Sequence, residues 1–170
     1  MDQAEIIETI EQATGHRGWI SNSYAQVEFL LGDLIMRCRQ FPEYAEFTAT
    51  ISHSAPTRVS KVRSMLRVEG PLDPYRSEMT AVLDAFEGNH EVRNLLAHGF
   101  CEFHYTPTGD AGLVFRKFER GGKSDNNQAD TLITKTFRLV DMHYHREQFV
   151  AQAQQALELF AKIHSDLGWM

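Results

Sequence analysis

The sequence predicts a mainly α protein: an antiparallel helical bundle with a β-hairpin or small three-stranded sheet inserted before its last helix. Three observations carry that expectation. Apolar residues recur at three- and four-residue steps over most of the 170 residues. From 100 to 138 the texture changes to aromatic and β-branched runs broken by Pro and Gly, and the helical period then resumes. No internal repeat is present. The length fits a single domain over 1–170, at about 100–200 residues per domain.

Residues 1–18 read as the first element. Ile6, Ile7, Ile10 and Ala13 sit beside Glu5, Glu8 and Glu11 as on a short amphipathic helix, which Gly15 and Gly18 are expected to close. From Trp19 to about Gln40, the residues Ile20, Tyr24, Val27, Leu31, Leu34, Ile35 and Cys38 keep the spacing of a core-facing helix. The pattern weakens between Phe41 and Pro56. Val59, Val62, Met65 and Leu66 then mark a shorter helix whose charges, Arg58, Lys61, Arg63 and Arg67, are all positive.

The pair Asp73-Pro74 predicts the next helix start, because Asp accepts from free N–H groups at the N-cap and Pro fits the first turn. Tyr75, Met79, Val82, Leu83 and Phe86 form its apolar stripe. The helical reading extends through Val92, Leu95, Leu96 and Ala97 to Gly99, with Gly88 as a candidate kink. Phe100–Tyr105 and Leu113–Phe118 read as a hairpin across Pro107, Gly109, Asp110 and Gly112, and residues 132–138 supply a third strand. The polar Gly121–Asp130 stretch reads as a mobile loop. Asp141 is the expected cap of a final helix that turns Phe149, Ala153, Ala156, Leu157, Phe160 and Ile163 inward.

Composition narrows the function classes. At 42% hydrophobic and 24% charged the chain is that of a soluble globular protein. Its 17 basic against 23 acidic residues, net −6, give no whole-molecule attraction for nucleic acid or anionic lipid, so any polyanion site must be local. The apolar runs fall short of the ~20 residues of a membrane helix. Cys38 and Cys101 are too far apart for a Cys-x-x-Cys site, and no basic-then-apolar leader suggests secretion; both read as reduced thiols in a cytoplasmic chain. His143 and His145 diverge on a helix, and no metal set or cofactor loop is expected. Trp19 and Trp169 read as packing anchors.

One position breaks the pattern. With Arg93 at zero and about 100° per residue, Tyr75, Met79, Val82 and Phe86 fall within roughly 40° of it. Arginine on a core stripe costs several kcal/mol unless it is paired or borders water. Two readings stay open here: an ion pair with an acid such as Glu28, with Asn94 and His98 as caps, or a functional cleft. Val92, Leu95 and Leu96 meanwhile move to a different face, so either Gly88 turns the helix or a second copy covers those residues.

The segment Glu91-Val92-Arg93-Asn94-Leu95-Leu96-Ala97-His98-Gly99 resembles the Arg-x4-6-His motif of the HEPN superfamily (higher eukaryotes and prokaryotes nucleotide-binding), here with a gap of four. The resemblance implies a HEPN-like bundle over about residues 19 to 168. It also implies a homodimer in which Arg93 and His98 of both chains line one cleft. Many members are metal-independent endoribonucleases in toxin–antitoxin, antiviral or RNA-processing roles, which makes RNA the expected substrate and an antitoxin protein an expected partner. Other members bind a nucleotide or a partner protein without cutting. The acidic balance and the 100–138 segment depart from the minimal bundle.

In that reading His98 takes the 2′-hydroxyl proton, and Arg93, a permanently charged planar fork, stabilises the charge that builds on the phosphoryl oxygens. Guanidinium neighbours would favour the neutral imidazole, whose ordinary pKa is about 6.5. Asn94, one turn before His98, either orients the imidazole or binds ribose, a plain capping amide being equally compatible. Lys61, Arg63 and Arg67 form a candidate strip for the RNA backbone, the alternative being a solvated helix face. Products would be 2′,3′-cyclic phosphate and 5′-hydroxyl ends. The competing functions are a non-catalytic HEPN-like dimer that binds a nucleotide or partner protein, and a helical regulatory adaptor with no nucleic-acid role.

Overall fold

The computed structural model describes residues 2–105, 111–119 and 131–169. The loop read at Gly121–Asp130 and most of the turn read at 107–112 lie outside the described residues. The elements run α1 (Gln3–Arg37), α2 (Ala45–Thr48), α3 (Ala55–Met65), α4 (Arg76–Gly88), α5 (His90–His98), β1 (Phe100–Tyr105), β2 (Ala111–Glu119), β3 (Thr131–Arg138) and α6 (Leu139–Asp166). The chain is therefore mainly helical, with a small antiparallel sheet before the last helix. The residues group into two compact units, and α1 and α6 each lend a segment to both.

The helical unit takes in Asn22–Asn89 and α6 from Phe149. Its core is built on Tyr24, stacked on Phe86 at 4.2 Å between ring centroids with Phe149 at 6.4 Å. Leu31, Leu34, Ile35, Val62, Met79 and Ile163 are also fully buried, as their spacing predicts. Two inward assignments change: Leu157 is exposed, and Leu159 takes the buried place on α6. Ser54 caps α3 by accepting from the Thr57 N–H at 3.3 Å. Asp73 does not cap α4. It lies at the start of a 3-10 turn, Asp73–Tyr75, where its carboxylate instead accepts from the Gly70 N–H at 3.1 Å. Gly70 must be glycine because a Cβ there would lie 2.6 Å from the Tyr44 hydroxyl. That hydroxyl in turn accepts from the Leu72 N–H at 3.0 Å.

The mixed unit takes in α1 up to Ser21 and His90–Gln148. Its sheet has the order β1-β2-β3, pairing Phe100 with Arg116, Arg116 with Thr134 and Phe118 with Leu132. Alternation puts Leu113, Phe115 and Phe137 on the inner face, where Phe115 and Phe137 meet edge to face at 5.8 Å. Arg17 of α1 lies over the Phe115 ring at 5.5 Å. Leu95, Leu96 and Met142 are buried in this same unit. Of the two readings of Leu95 and Leu96, a turn of the helix at Gly88 or a covering second copy, their burial inside the chain fits the first and leaves the second without these residues.

Three helix boundaries differ from expectation. The helix read from Tyr75 to Gly99 is split: α4 stops at Gly88, Asn89 bonds its side chain to Gln152 at 2.7 Å, and α5 starts afresh at His90. Glycine's poor helix propensity and that side-chain tie favour a break there. Asp141 caps α6 from the third helical position, accepting from the Arg138 N–H at 2.9 Å in the reciprocal manner of a capping box. The Arg138 guanidinium, then that N–H, hold its carboxyl below the usual carboxylate range.

The third difference is at the N-terminus, where α1 runs without interruption through Gly15 and Gly18. Neither takes the left-handed φ of a C-cap glycine; among the described residues only Gly168 does, at the end of α6. A Cβ at Gly15 or Gly18 would meet nothing within 4 Å. Gly15→Ala and Gly18→Ala should therefore each raise stability by up to about 1 kcal/mol, from helix propensity alone. Urea denaturation checks this: a loss of stability in either variant would mean that the helix does end there.

Candidate active site

The segment α5–Gly99–β1 is a tight joint in the mixed unit. Helix α5 ends at His98 and strand β1 begins at Phe100, with Gly99 alone between them. Its N–H closes the helix on the Leu95 carbonyl at 2.8 Å. A Cβ on Gly99 would lie 2.5 Å from that carbonyl oxygen and 3.3 Å from the Phe115 ring, so no side chain fits without moving backbone. The joint fixes His98 at the end of the sheet.

There His98 is exposed and makes no hydrogen bond among the described residues. It lines an open cavity of about 570 Å³ with Phe100, Arg116, Lys117, Phe118 and Leu132. Every charged side chain in that wall is a cation. Arg116 is paired with Glu102, and Lys117 lies 3.6 Å from Glu119. The carboxylates of both pairs are exposed, while Arg116 and Lys117 are half-buried. Lys117 also borders a smaller cavity, about 200 Å³, whose wall includes Asn94.

Arg93 and Asn94 lie earlier on the same helix and are half-buried. The Asn94 amide is used at both ends: its Oδ1 accepts from Arg93 Nη1 at 2.9 Å, and its Nδ2 lies 2.8 Å from His90 Nε2. With the amide donating, a neutral His90 carries its proton on Nδ1. Asn94 is thus hydrogen-bonded to Arg93 and His90, and among the described residues makes no bond to His98 one turn on. Five residues apart, Arg93 and His98 leave the helix roughly 140° from each other. Arg93 is not in the wall that His98 helps to form.

Lys61, Arg63 and Arg67 belong to the helical unit. Lys61 donates to the carbonyl and hydroxyl of Thr50, and Arg63 is held between Asp84 and Glu87. Arg67 is exposed. Of the three, it alone among the described residues has no partner for its charge. Glu28, offered above as an acid for Arg93, lies 3.7 Å from Arg58, whose Nη1 also donates to the Glu28 carbonyl at 2.9 Å.

The remaining candidates fall elsewhere. His145 packs edge-on against Phe137 at 5.6 Å, and burial, then the Lys135 charge, pushes its imidazole below the ordinary range. His143 meets His16 at 5.4 Å in a groove of about 760 Å³ between α1 and α6 that also holds Trp19 and Arg146. Trp19 is 52% exposed there beneath the Arg146 guanidinium, and so does not anchor a core. Trp169 does pack, against Phe41, Arg37 and His164. Among the described residues no three His, Cys, Asp or Glu gather as a metal set, and no helix is long and apolar enough to cross a membrane.

Sequence reasoning missed Phe100, Arg116, Lys117, Phe118 and Leu132. Their signal is the two-residue alternation of the strands, but both faces of β2 carry aromatic residues, and the phase is set only by which face is covered. No family model, curated protein or solved structure matches this chain. Stability measurements separate functional from structural residues in the motif. His98→Ala should stay within about 0.5 kcal/mol of the parent. Leu96→Ala should cost about 2–5 kcal/mol, and Gly99→Ala should also destabilise. A large loss in His98→Ala would make that imidazole structural.

Proposed function

We propose that the chain is a metal-independent endoribonuclease of the HEPN type that acts as a twofold dimer, in a toxin–antitoxin or antiviral setting. The observation that carries this reading is His98: an exposed imidazole, without a hydrogen bond among the described residues, on a cavity wall that includes Arg116 and Lys117, on the helix that also bears Arg93. A base with no competing partner is free to take the 2′-hydroxyl proton. The 2′-oxygen then attacks phosphorus, the P–O5′ bond breaks, and the leaving oxygen takes a proton from a second imidazole or from water. Charge that builds on the phosphoryl oxygens falls to guanidinium and ammonium groups.

The spread of Arg93 and His98 around α5 favours a site assembled from two copies, since one helix turns them to different sides. Two α5 helices meeting across a twofold axis bring the arginine of one copy toward the histidine of the other. In this arrangement Asn94 acts by holding Arg93. Asn94→Ala should therefore lower kcat while His98 is untouched.

The test is incubation of single-stranded RNA with the protein in excess EDTA, followed by analysis of the cut ends. Cleavage should persist and leave 2′,3′-cyclic phosphate and 5′-hydroxyl ends. His98→Ala and Arg93→Ala should each lose at least about 100-fold in rate. Dependence on a metal, 5′-phosphate ends, or full activity in His98→Ala would each rule the reading out. Tight nucleotide binding without turnover would establish the non-catalytic HEPN-like dimer instead.

A further inference from the structure

The groove between α1 and α6 in the mixed unit gathers side chains that folding alone does not explain. Its wall includes His16 and Trp19 of α1 and Val140, His143 and Arg146 of α6, and it shares no residue with the cavity at His98. Three of these groups are basic, and no carboxylate stands in the wall. The His16 and His143 rings meet at 5.4 Å, and the Arg146 guanidinium lies 5.5 Å over the Trp19 ring. None of the three makes a hydrogen bond among the described residues. Arg146 lies 3.8 Å from the carboxylate of Glu147, which is exposed and outside the wall.

Two of the basic nitrogens, His16 Nδ1 and Arg146 Nε, are buried without a hydrogen bond among the described residues. Burial, then the Arg146 charge, then His143, hold the His16 imidazole below its ordinary range, against the pull of Glu147. Unbonded basic groups brought together out of water weaken a fold, and the contact with Trp19 offsets only part of that. A local cost of this kind is expected where a ligand is to be held. The rest of the wall is apolar and open, with Trp19 52% and Val140 59% exposed.

We propose that this groove binds a small organic anion, with a flat aromatic body against Trp19 and a carboxylate or phosphoryl head at Arg146 and the two imidazoles. The guanidinium fork matches either head, and with Nε covered its terminal nitrogens are the ones to meet it. At about 760 Å³ the groove has the size of a small-molecule site, more than a bare inorganic ion needs. A second copy set across a twofold axis would turn this concave basic wall toward its own equivalent, leaving the hollow unfilled and like charges opposed. The site stands apart from the ribonuclease reading and does not depend on it.

Isothermal titration calorimetry with 2-naphthoate and 2-naphthyl phosphate tests this, with neutral 2-naphthamide as the control. One or both anions should bind, the tighter of them identifying the head group, and the amide at least about 10-fold more weakly. Arg146→Gln should raise Kd at least about 10-fold without lowering Tm. Trp19→Ala should raise Kd about 5-fold, whereas Trp19→Phe, which keeps a ring, should stay within about 2-fold. Binding of 2-naphthoate should tighten from about pH 8 to about pH 6, because an anion beside His16 favours its protonated form. His98→Ala should bind as the parent does, whatever becomes of RNA cleavage. The site is refuted if neither anion binds, if the amide binds equally, or if Arg146→Gln leaves Kd unchanged. A lower Tm in Arg146→Gln would make that side chain structural, and dissociation of a dimer in that variant would give the groove to a second copy; either result overturns the proposal.

Discussion

The candidate site depends on how closely a helix and a strand can be joined. Gly99 is the whole connection between α5 and β1, and the space a Cβ would need is filled by the Leu95 carbonyl and the Phe115 ring. Because the helix hands directly to the strand, the last helical side chain, His98, stands over the first strand position, Phe100. A longer connection would let the imidazole drift from the sheet. The glycine that closes the motif therefore has a packing reason that is independent of any chemistry at His98.

The same helix divides its polar residues by neighbourhood. Toward its start, Arg93, Asn94 and His90 form a hydrogen-bonded chain in which the amide is engaged at both its oxygen and its nitrogen. At its end His98 makes no hydrogen bond among the described residues. Such a division suits a site in which one group must be held in place and the other must exchange a proton.

Much of the fold is legible in the sequence because burial in helices follows a single period. The stripes of α1 from Ile20 onward, of α4 and of α6 are inward as read, with Leu157 giving way to Leu159, whereas Ile7 and Ile10 at the start of α1 are exposed. What misleads is residue type without backbone context. Gly15 and Gly18 look like terminators, yet a glycine ends a helix only where the chain takes a left-handed turn or a close approach, and neither does so. Asp73 has the right chemistry for a cap but sits one position inside the turn. The split at Asn89 is harder to foresee, since it depends on Gln152, 63 residues away. At the site, Arg93, Asn94 and His98 are visible as a motif. The aromatic and cationic wall is not, because alternation reveals two faces without saying which one is covered.

The central claim is that α5 presents only half of the chemistry on each side, so that a working cleft needs Arg93 from one copy and His98 from another. Mixing Arg93→Ala protein with His98→Ala protein, each inactive alone, tests this directly. After subunit exchange, mixed dimers should recover a substantial fraction of wild-type cleavage, because one of the two arrangements across the axis is then complete. If the mixture forms mixed dimers and stays as inactive as its parts, the cleft is not shared, and this account of the protein is wrong.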